Sequence, residues 1–342
     1  MKTIVSALAL CAAACGGGSK DPVTGGGEDD AGGGGTIDSG AGGGDVDVDP
    51  FDPAALAAEV AYLASDEMRG RAPGSPQDGP LRAHIAERFA TLGLTPAGGS
   101  FQQEFVDSDD EATANVVGYL PGADPELAGD IIVVGAHHDH LGVEDGEIYN
   151  GANDNASGVA VVLAVAQAVT QRADPPRRTI VFATFGSEEL GLEGSYHYVE
   201  HPPSGLPIDD VVYMINLDMV GTYFNDDWVY AFGSFGGTPA RSALEDLLVD
   251  HPDMNVKLGT SAVEVEGEGD SDYDAFCQED IPYLYFFTED DECYHEPCDD
   301  ADRIDVPHLS VIAQLTAGTL LALADAGTDL RAAREDLGCG ED

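Results

Sequence analysis

Five short runs of apolar, mostly β-branched and aromatic residues recur along the chain, and helical patterns lie between them. The runs cover residues 131–135, 179–185, 211–217, 229–232 and 283–287. Several of them are apolar at every position, as strands covered on both faces are. Strands of this kind that alternate with helices predict a three-layer α/β domain around a largely parallel sheet.

Helical spacing of the apolar residues predicts the layers that cover this sheet. The spacing occurs in residues 54–65 and 81–92, and residues 158–169 are apolar nearly all round, as a buried helix is. A last helix is predicted over residues 307–326, with Asp305 as its N-cap. The pattern begins near residue 51, so residues 51–342 are predicted to form one domain.

The first 50 residues carry the features of an export signal and a linker. Lys2 precedes an apolar run of ~11 residues, too short to span a bilayer, which predicts a signal peptide over residues 1–14. The stretch AAAC resembles a lipobox and predicts a lipid on Cys15, whereas an ordinary cleaved signal would give a secreted product. Residues 16–50 hold fourteen Gly and eight acidic residues, so residues 15–50 are predicted to be a lipidated Cys and a disordered tether.

Acidic residues dominate the charge of the chain. Fourteen Lys plus Arg against 64 Asp plus Glu give a formal net charge of −50. Phosphate backbones and anionic membrane surfaces would be repelled, so we expect no nucleic-acid partner and no membrane contact except through the amino-terminal lipid. No other run of ~18 consecutive apolar residues occurs, so no transmembrane helix is expected. The predicted location is the bacterial cell envelope, lipid-anchored at the outer membrane, or the secreted fraction.

Histidines and carboxylates follow four of the predicted strands, and one more carboxylate precedes the buried helix. In chain order they are His137, Asp139, Asp154, Glu188, Glu189, Asp218 and His295. Because ligands of open α/β sheets bind beyond the carboxyl ends of strands, we expect these side chains at one edge. Their chemistry suits Zn²⁺, with Mn²⁺ or Co²⁺ as alternatives. Even two histidines with only three of these five carboxylates exceed the ligand set of one catalytic zinc and fit two metals that share a carboxylate.

Seven motifs occur in order: LASDEMRGRAPGS, VVGAHHDHLG, YNGANDNASGVA, ATFGSEELGLEGS, MINLDMVG, GDSDYDAF and YHEPCDDADRID. Together they resemble the secreted di-zinc aminopeptidases of metallopeptidase family twenty-eight, the Streptomyces aminopeptidase and aminopeptidase Y group. The resemblance covers about residues 55–325. It implies the zinc-dependent exopeptidase fold, an α/β/α sandwich around a mixed sheet, and two zinc ions per chain.

The resemblance also implies the metal ligands, residue by residue. His137 and Asp218 would hold one zinc, Glu189 and His295 would hold the other, and Asp154 would bridge them. A metal can lower the pKa of a bound water to ~7, which supplies a nucleophile for peptide hydrolysis. A second metal could hold a free α-amino group, which would favour cleavage at the amino terminus.

The resemblance implies further roles around these ligands. Glu188 would be the general base that takes a proton from the water and passes it to the leaving amine. Asp139 would accept the second ring N–H of His137 and fix its tautomer. Tyr294 would hydrogen-bond the oxyanion. The flanking His138 and His140 are interpreted as structural or surface residues.

Cysteine usage fits an exported protein. Cys277, Cys293, Cys298 and Cys339 remain after the signal and the lipobox Cys, and they allow three complete pairings. The resemblance implies a disulfide between Cys293 and Cys298 around the His295 ligand. The sequence departs from the family pattern at Tyr273, where relatives often carry His. We expect this difference to affect the contacts with the substrate and not the metal ligands.

The sequence therefore predicts a zinc metallopeptidase, an aminopeptidase that acts on peptide substrates. One alternative is a glutaminyl cyclase-like enzyme with a single zinc. The other is a non-catalytic surface lipoprotein with a peptidase fold, which predicts losses among the ligands or the base. All six of those residues are present in the sequence. The preferred terminal residue and the oligomeric state are left open.

Overall fold

The structure is a computed structural model that describes residues 49–223, 228–259, 271–290 and 292–333. The α-helices in these residues are α1 Pro53–Leu63, α2 Asp78–Thr91, α3 Gly158–Thr170, α4 Glu193–Glu200, α5 Pro239–Leu248, α6 Tyr273–Cys277 and α7 Val306–Asp325. The strands are β1 Thr95–Pro96, β2 Gln102–Val106, β3 Ala112–Leu120, β4 Ile131–His137, β5 Gly142–Glu144, β6 Glu147–Tyr149, β7 Thr179–Phe185, β8 Val211–Leu217, β9 Val229–Phe232, β10 Val256–Leu258 and β11 Tyr283–Thr288. The predicted signal peptide, residues 15–48 of the predicted tether and Cys339 lie outside the described residues.

The centre of the main sheet is parallel. Strands β7, β4, β8 and β11 lie side by side in that order and run in the same direction. His137 pairs with Phe185 and Leu217 pairs with Phe286, so these strands end at about the same level. Their carboxyl ends therefore form one edge, where the chain leaves each strand for a loop.

Antiparallel strands make the two sides of the sheet mixed. Strand β3 pairs antiparallel with β7, and both β1 and β2 pair antiparallel with β3. On the other side β9 pairs antiparallel with β11, and β10 pairs parallel with β9. The short strands β5 and β6 form a separate hairpin.

Helices cover both faces of the sheet. On one face, α1, α2, α3, α5 and α7 pack over aliphatic strand residues such as Val134 and Ile215. On the other face, α4 and α6 pack over a more aromatic core that includes Phe185, Tyr198 and Phe276. Because both faces are buried, the central strands are apolar at nearly every position. The predicted three-layer α/β/α sandwich around a mixed, largely parallel sheet is confirmed.

Helix α7 bears on the expectation that no transmembrane helix occurs after the signal peptide. Its 20 residues reach a mean hydropathy of 1.5 over an 18-residue window, which is long and apolar enough to cross a membrane. Ser310, Gln314 and Thr316 interrupt its apolar sequence, so it does not form a continuous apolar run. Of that window, 56% is buried inside the fold, and α7 packs against α1, α3 and α5. These contacts are those of a core helix.

The N-cap of α7 can be tested by substitution. The side chain of Asp305 accepts a hydrogen bond from the backbone N–H of His308 and also pairs with its ring. Asp305→Ala should lower the free energy of unfolding by about 1 kcal/mol, because the N–H loses its acceptor. Asp305→Asn keeps the acceptor and should retain most of the stability in urea unfolding. Since both variants lose the ion pair, equal losses would show that the cap contributes nothing.

Candidate metal centre

The carboxyl edge of the parallel strands brings six of the predicted side chains together. They are His137 at the end of β4, Asp154 in the turn before α3, Glu188 and Glu189 after β7, Asp218 after β8 and His295 in the loop after β11. Both glutamates lie on the loop between β7 and α4, outside regular structure. Four strands and one helix start therefore contribute to a single cluster.

The carboxylate of Asp154 lies between the two histidines. Its Oδ1 is 3.2 Å from His137 Nε2, and its Oδ2 is 3.2 Å from His295 Nε2. Asp218 Oδ1 lies 3.1 Å from His137 Nε2, and Glu189 Oε2 lies 3.0 Å from His295 Nε2. Each histidine nitrogen therefore faces one oxygen of Asp154 and one oxygen of a second carboxylate.

Glu188 lies beside these residues, but its carboxylate is farther from a histidine nitrogen than those of Asp154, Asp218 and Glu189. Its Oε2 is 3.9 Å from His137 Nε2. Burial raises the pKa of Glu188 well above its ordinary value, and the charges of Asp218 and Asp272 raise it further against the opposing effect of His137. The side chain is thus a buried carboxyl that binds a proton readily.

The carboxylate of Asp139 holds the loop that carries both glutamates. It accepts hydrogen bonds from the backbone N–H of Glu188, at 3.1 Å, and of Glu189, at 3.4 Å. The expected contact with the ring of His137 differs from the one observed. Asp139 Oδ1 is 3.8 Å from His137 Nδ1, whereas the backbone oxygen of Asp139 lies at 3.3 Å. Because the carboxylate is turned toward the glutamate loop, the main chain supplies the nearer partner of the ring.

Two residues that the sequence analysis did not single out hold the two aspartates of the cluster. Asp299 accepts hydrogen bonds from the backbone N–H of Asn153, at 2.8 Å, and of Asp154, at 3.0 Å. Ser271 donates a hydrogen bond of 2.8 Å to Asp218 Oδ2. Both residues belong to the motifs CDD and GDSD, which were the available signal in the sequence.

Arg71, which the sequence analysis also did not single out, and His140 make further contacts around the cluster. The buried guanidinium of Arg71 donates to the backbone carbonyls of His138, at 3.1 Å, and of Gly151, at 2.8 Å. His140 is buried as well, and its Nδ1 lies 2.6 Å from Glu189 Oε1. Of the two roles expected for His140, structural or surface, its burial leaves the structural one, and its ring points toward a predicted ligand.

A disulfide closes the loop that carries His295. Cys293 and Cys298 are bonded, with their Cα atoms 5.4 Å apart, which confirms the implied pairing. Tyr294 stacks on the ring of His295 with a centroid distance of 3.9 Å, and about half of its side chain is exposed. Burial and the surrounding carboxylates raise the pKa of Tyr294, so its hydroxyl stays protonated as a donor. Cys277 is also disulfide-bonded.

The charges of the cluster are unbalanced without a cation. Burial raises the pKa of Asp139 to about 6 and that of Asp272 to about 7. Burial lowers the pKa of His295, but hydrogen bonds to Asp154 and Glu189 outweigh it and raise the pKa to about 10. Carboxylates outnumber histidines in this buried space, and buried charges are costly unless they are paired or bind metal.

The donor set fits divalent metal ions. Two donors on one tetrahedral zinc lie about 3.3 Å apart, and the four histidine–carboxylate pairs around Asp154 are separated by 3.0–3.2 Å. Imidazole nitrogens and carboxylate oxygens suit Zn²⁺, Mn²⁺ and Co²⁺. The geometry thus gives two adjoining groups of potential donors, and the carboxylate of Asp154 is common to both.

A pocket of about 630 Å³ opens onto this cluster. Its lining includes the apolar or aromatic side chains of Leu192, Met219, Tyr285 and Phe287. The remaining lining is rich in carboxylates, and none of the described residues that line it is a lysine or an arginine. The lining therefore combines apolar side chains with a strongly electronegative set of carboxylates.

Tyr273, the departure from the family pattern, lies in the core. Only 1% of its surface is exposed, and its ring stacks on Tyr283 and Tyr285 with centroid distances of 4.5 and 5.0 Å. Tyr285 lines the pocket, but Tyr273 does not. The residue thus bears on the pocket through the wall it supports.

An α/β/α sandwich with such a cluster at its carboxyl edge defines the class of this protein. A family model described as peptidase family M28 matches residues 115–320. This match covers more than half of the chain, and the chain belongs to peptidase family M28.

Named proteins show the same relationship. The chain is 30% identical over 249 residues to the "probable leucine aminopeptidase 2" of Aspergillus oryzae, which covers 69% of this chain and 47% of that protein. It is 27% identical over 300 residues to a "probable lipoprotein aminopeptidase LpqL" of Mycobacterium tuberculosis, covering 76% and 56%. The chain spans less than half the length of several of the curated relatives it matches.

Solved structures share the fold. The zinc aminopeptidase BSAP from Bacillus subtilis superposes with a TM-score of 0.65 at 17% identity, covering 83% of this chain and 98% of that one. The glutaminyl cyclase of Porphyromonas gingivalis superposes with a TM-score of 0.63 at 18% identity, covering 80% and 99%. Identities this low establish the fold alone.

The buried carboxyls predict how stability depends on pH when no metal is bound. The pKa values of Asp139 and Asp272, about 6 and about 7, exceed their ordinary value of 3.8 in the folded chain. These two carboxyls therefore bind more protons in the folded than in the unfolded chain between about pH 4 and 7, and their contribution to stability falls as pH rises through that window. The raised pKa of His295 acts in the same direction above about pH 6.5, whereas the lowered pKa of His138 opposes the fall below that pH. Thermal unfolding of chelator-treated protein at pH 5 to 8 should show a falling Tm.

Two variants make this pH test specific. Asp272→Asn should flatten the fall, because it removes one of the responsible groups, while the exposed Asp253→Asn should leave it unchanged. A Tm that rises over this range in the wild type, or a slope that Asp272→Asn does not alter, would contradict the assignment.

Proposed function

We propose that the protein is a metal-dependent aminopeptidase that holds two divalent ions, and that both ions are Zn²⁺. The observation that carries the proposal is the position of Asp154, whose two oxygens each face a different histidine at 3.2 Å. A single ion would need only one of these two oxygen–histidine pairs. Two-metal hydrolytic sites place their ions ~3.5–4 Å apart around a shared ligand. Membership of peptidase family M28 supports hydrolysis of a peptide bond.

The ligands divide into two groups in this proposal. His137 and Asp218 would hold one ion, Glu189 and His295 would hold the other, and Asp154 would contribute to both groups. When bound, such ions lower the pKa of a coordinated water to ~7 and polarise a carbonyl. The protein orients the ligands through Asp139, Asp299 and Ser271, as the hydrogen bonds above describe.

Glu188 is the general base of the proposed reaction. Its carboxylate lies beside the ligands but does not approach a histidine nitrogen closely, so it is available to accept a proton. Burial favours the protonated carboxyl, which lets Glu188 keep that proton until the leaving amine takes it. Tyr294, protonated and at the pocket, is placed to donate a hydrogen bond to the developing oxyanion.

The charge of the pocket favours an amino terminus over a carboxyl terminus. A free α-ammonium group is attracted to the carboxylate-rich lining, whereas a terminal carboxylate is usually bound by an arginine or a lysine. The described lining contains neither. The apolar lining residues Leu192, Met219, Tyr285 and Phe287 would contact the side chain of the terminal residue.

The location of the enzyme is part of the proposal. The lipobox-like stretch before Cys15 and the relative described as a lipoprotein aminopeptidase support a lipid-anchored enzyme of the bacterial envelope. Secretion after ordinary signal cleavage is the alternative. The membrane contact would be made only by the amino-terminal lipid, and the substrates would be peptides outside the cytoplasm.

Two other functions are kept as alternatives. A glutaminyl cyclase-like reaction is suggested by the shared fold of the Porphyromonas gingivalis enzyme. A non-catalytic surface lipoprotein would have the fold without the chemistry. The first predicts turnover of an amino-terminal Gln with one metal, and the second predicts no turnover of any peptide.

Metal content separates these functions directly. We expect about two zinc equivalents per chain, because the ligands form two groups around Asp154. Chelation should abolish hydrolysis of amino-acid anilides, and added Zn²⁺ should restore it. Elemental analysis and a parallel assay with an amino-terminal Gln peptide measure both properties. One tightly bound metal together with cyclisation of Gln would favour the cyclase.

Substitution of Glu188 tests the general base. Glu188→Gln should lower kcat by about 10²-fold or more, because a general base contributes ~10²–10⁴-fold. Both metals should stay bound, because Glu188 is not one of the proposed ligands. Asp154→Asn should instead weaken metal binding, since it removes the shared negative charge. The exposed Glu279→Gln is a matched control and should retain activity. Near-normal turnover in Glu188→Gln, or loss of its metals, would refute this role.

A further inference from the structure

His140 has no assigned role in the proposed site, yet it contacts one of the ligands. Its ring is fully buried, and its Nδ1 lies 2.6 Å from Glu189 Oε1. The other oxygen of that glutamate, Oε2, lies 3.0 Å from His295 Nε2. The two oxygens of Glu189 are thus divided between two histidines.

The short distance shows which kind of contact His140 makes. Donors that share a tetrahedral zinc lie about 3.3 Å apart, and the four pairs around Asp154 have separations of 3.0–3.2 Å. The 2.6 Å contact of His140 is shorter than these and corresponds to a charge-assisted hydrogen bond. An ionised carboxylate only accepts, so Nδ1 of His140 carries the proton and donates it.

We propose that His140 is a positioning residue that holds Oε1 of Glu189 and thereby leaves Oε2 as the single ligand atom toward the second metal. Hydrogen bonds of this kind orient metal ligands and commonly change metal affinity by ~10–100-fold. This inference rests on the proposed function, because it assumes that Glu189 is a ligand.

The surroundings of His140 fix the position of its ring. Gly151 has a positive φ of 60°, and a Cβ at that position would overlap the ring of His140 and the carbonyl oxygen of Asp154. The backbone carbonyl of Gly151 is in turn held by Arg71 at 2.8 Å. The ring therefore occupies space that only a glycine leaves open, beside the turn that carries Asp154.

His138 provides a matched control from the same segment. It is buried to the same degree, and its Nδ1 lies 3.0 Å from Thr184 Oγ1, a hydroxyl of β7. Removal of either imidazole leaves a similar gap in the fold. Only removal of His140 takes a donor from Glu189.

The test is a titration of Zn²⁺ alone into metal-free, folded protein against a chromophoric chelator, with Tm recorded in parallel. His140→Leu should weaken one of the two binding steps by about 10-fold or more, while His138→Leu should leave both steps unchanged. His140→Asn should restore most of the lost affinity, because its amide N–H can take the place of Nδ1–H. The activity of the loaded enzyme is not needed for this readout.

Each outcome of the titration decides a specific point. Unchanged affinity in His140→Leu would reduce His140 to a packing residue and overturn the proposal. Equal losses in His140→Asn and His140→Leu would make the ring itself a ligand and would overturn it as well. If His140→Leu fails to fold, the Zn²⁺ affinities of His140→Asn and His140→Gln are compared instead. The longer Gln side chain displaces the amide N–H from the position of Nδ1–H, so His140→Gln should bind Zn²⁺ more weakly than His140→Asn. Wild-type protein that binds no Zn²⁺ would instead refute the proposed function.

Discussion

Asp154 places one buried carboxylate between two histidines that come from distant parts of the chain, His137 at the end of β4 and His295 in the loop after β11. Its position is set by the backbone, because Asp299 accepts the N–H groups of Asn153 and Asp154 and so ties the turn to the His295 loop. Negative charge in so little space is unfavourable unless cations share it. For this reason we regard the proposed metals as part of what holds these loops together.

The parallel centre of the sheet explains how distant residues meet. Four neighbouring strands end at one level, and each passes directly into a loop that delivers a ligand or the proposed base. Several residues at these exits have positive φ, among them Ser187 at 56°, Met219 at 50° and His295 at 55°. Such conformations are sparsely populated for residues with side chains and are found where the surrounding structure fixes them, often at functional sites. The apolar layers on both faces provide that rigid support.

The central fold was predictable from sequence because burial on both faces makes strands such as β4 and β8 apolar throughout. Strand β3 was not predicted, since it carries Asn115 and Gly118 and pairs at the antiparallel side of the sheet. The buried side chain of Asn115 accepts a hydrogen bond from the backbone N–H of Gly186 and donates one to the carbonyl of Gly194. In the sequence, an asparagine close to a glycine is more typical of a loop than of a buried strand. The positions of the clustered histidines and carboxylates followed from the strand ends and the family motifs. The direction of the Asp139 carboxylate and the contact of His140 with Glu189 did not, because they depend on how separate loops pack.

Anomalous X-ray diffraction from crystals of the purified protein, recorded on both sides of the zinc absorption edge, tests the central claim most directly. The account predicts two anomalous peaks per chain on opposite sides of the Asp154 carboxylate. One should lie against His137 and Asp218, and the other against Glu189 and His295. A single peak, or peaks that leave Asp154 outside the coordination of either ion, would contradict the shared carboxylate and the two-metal site built on it.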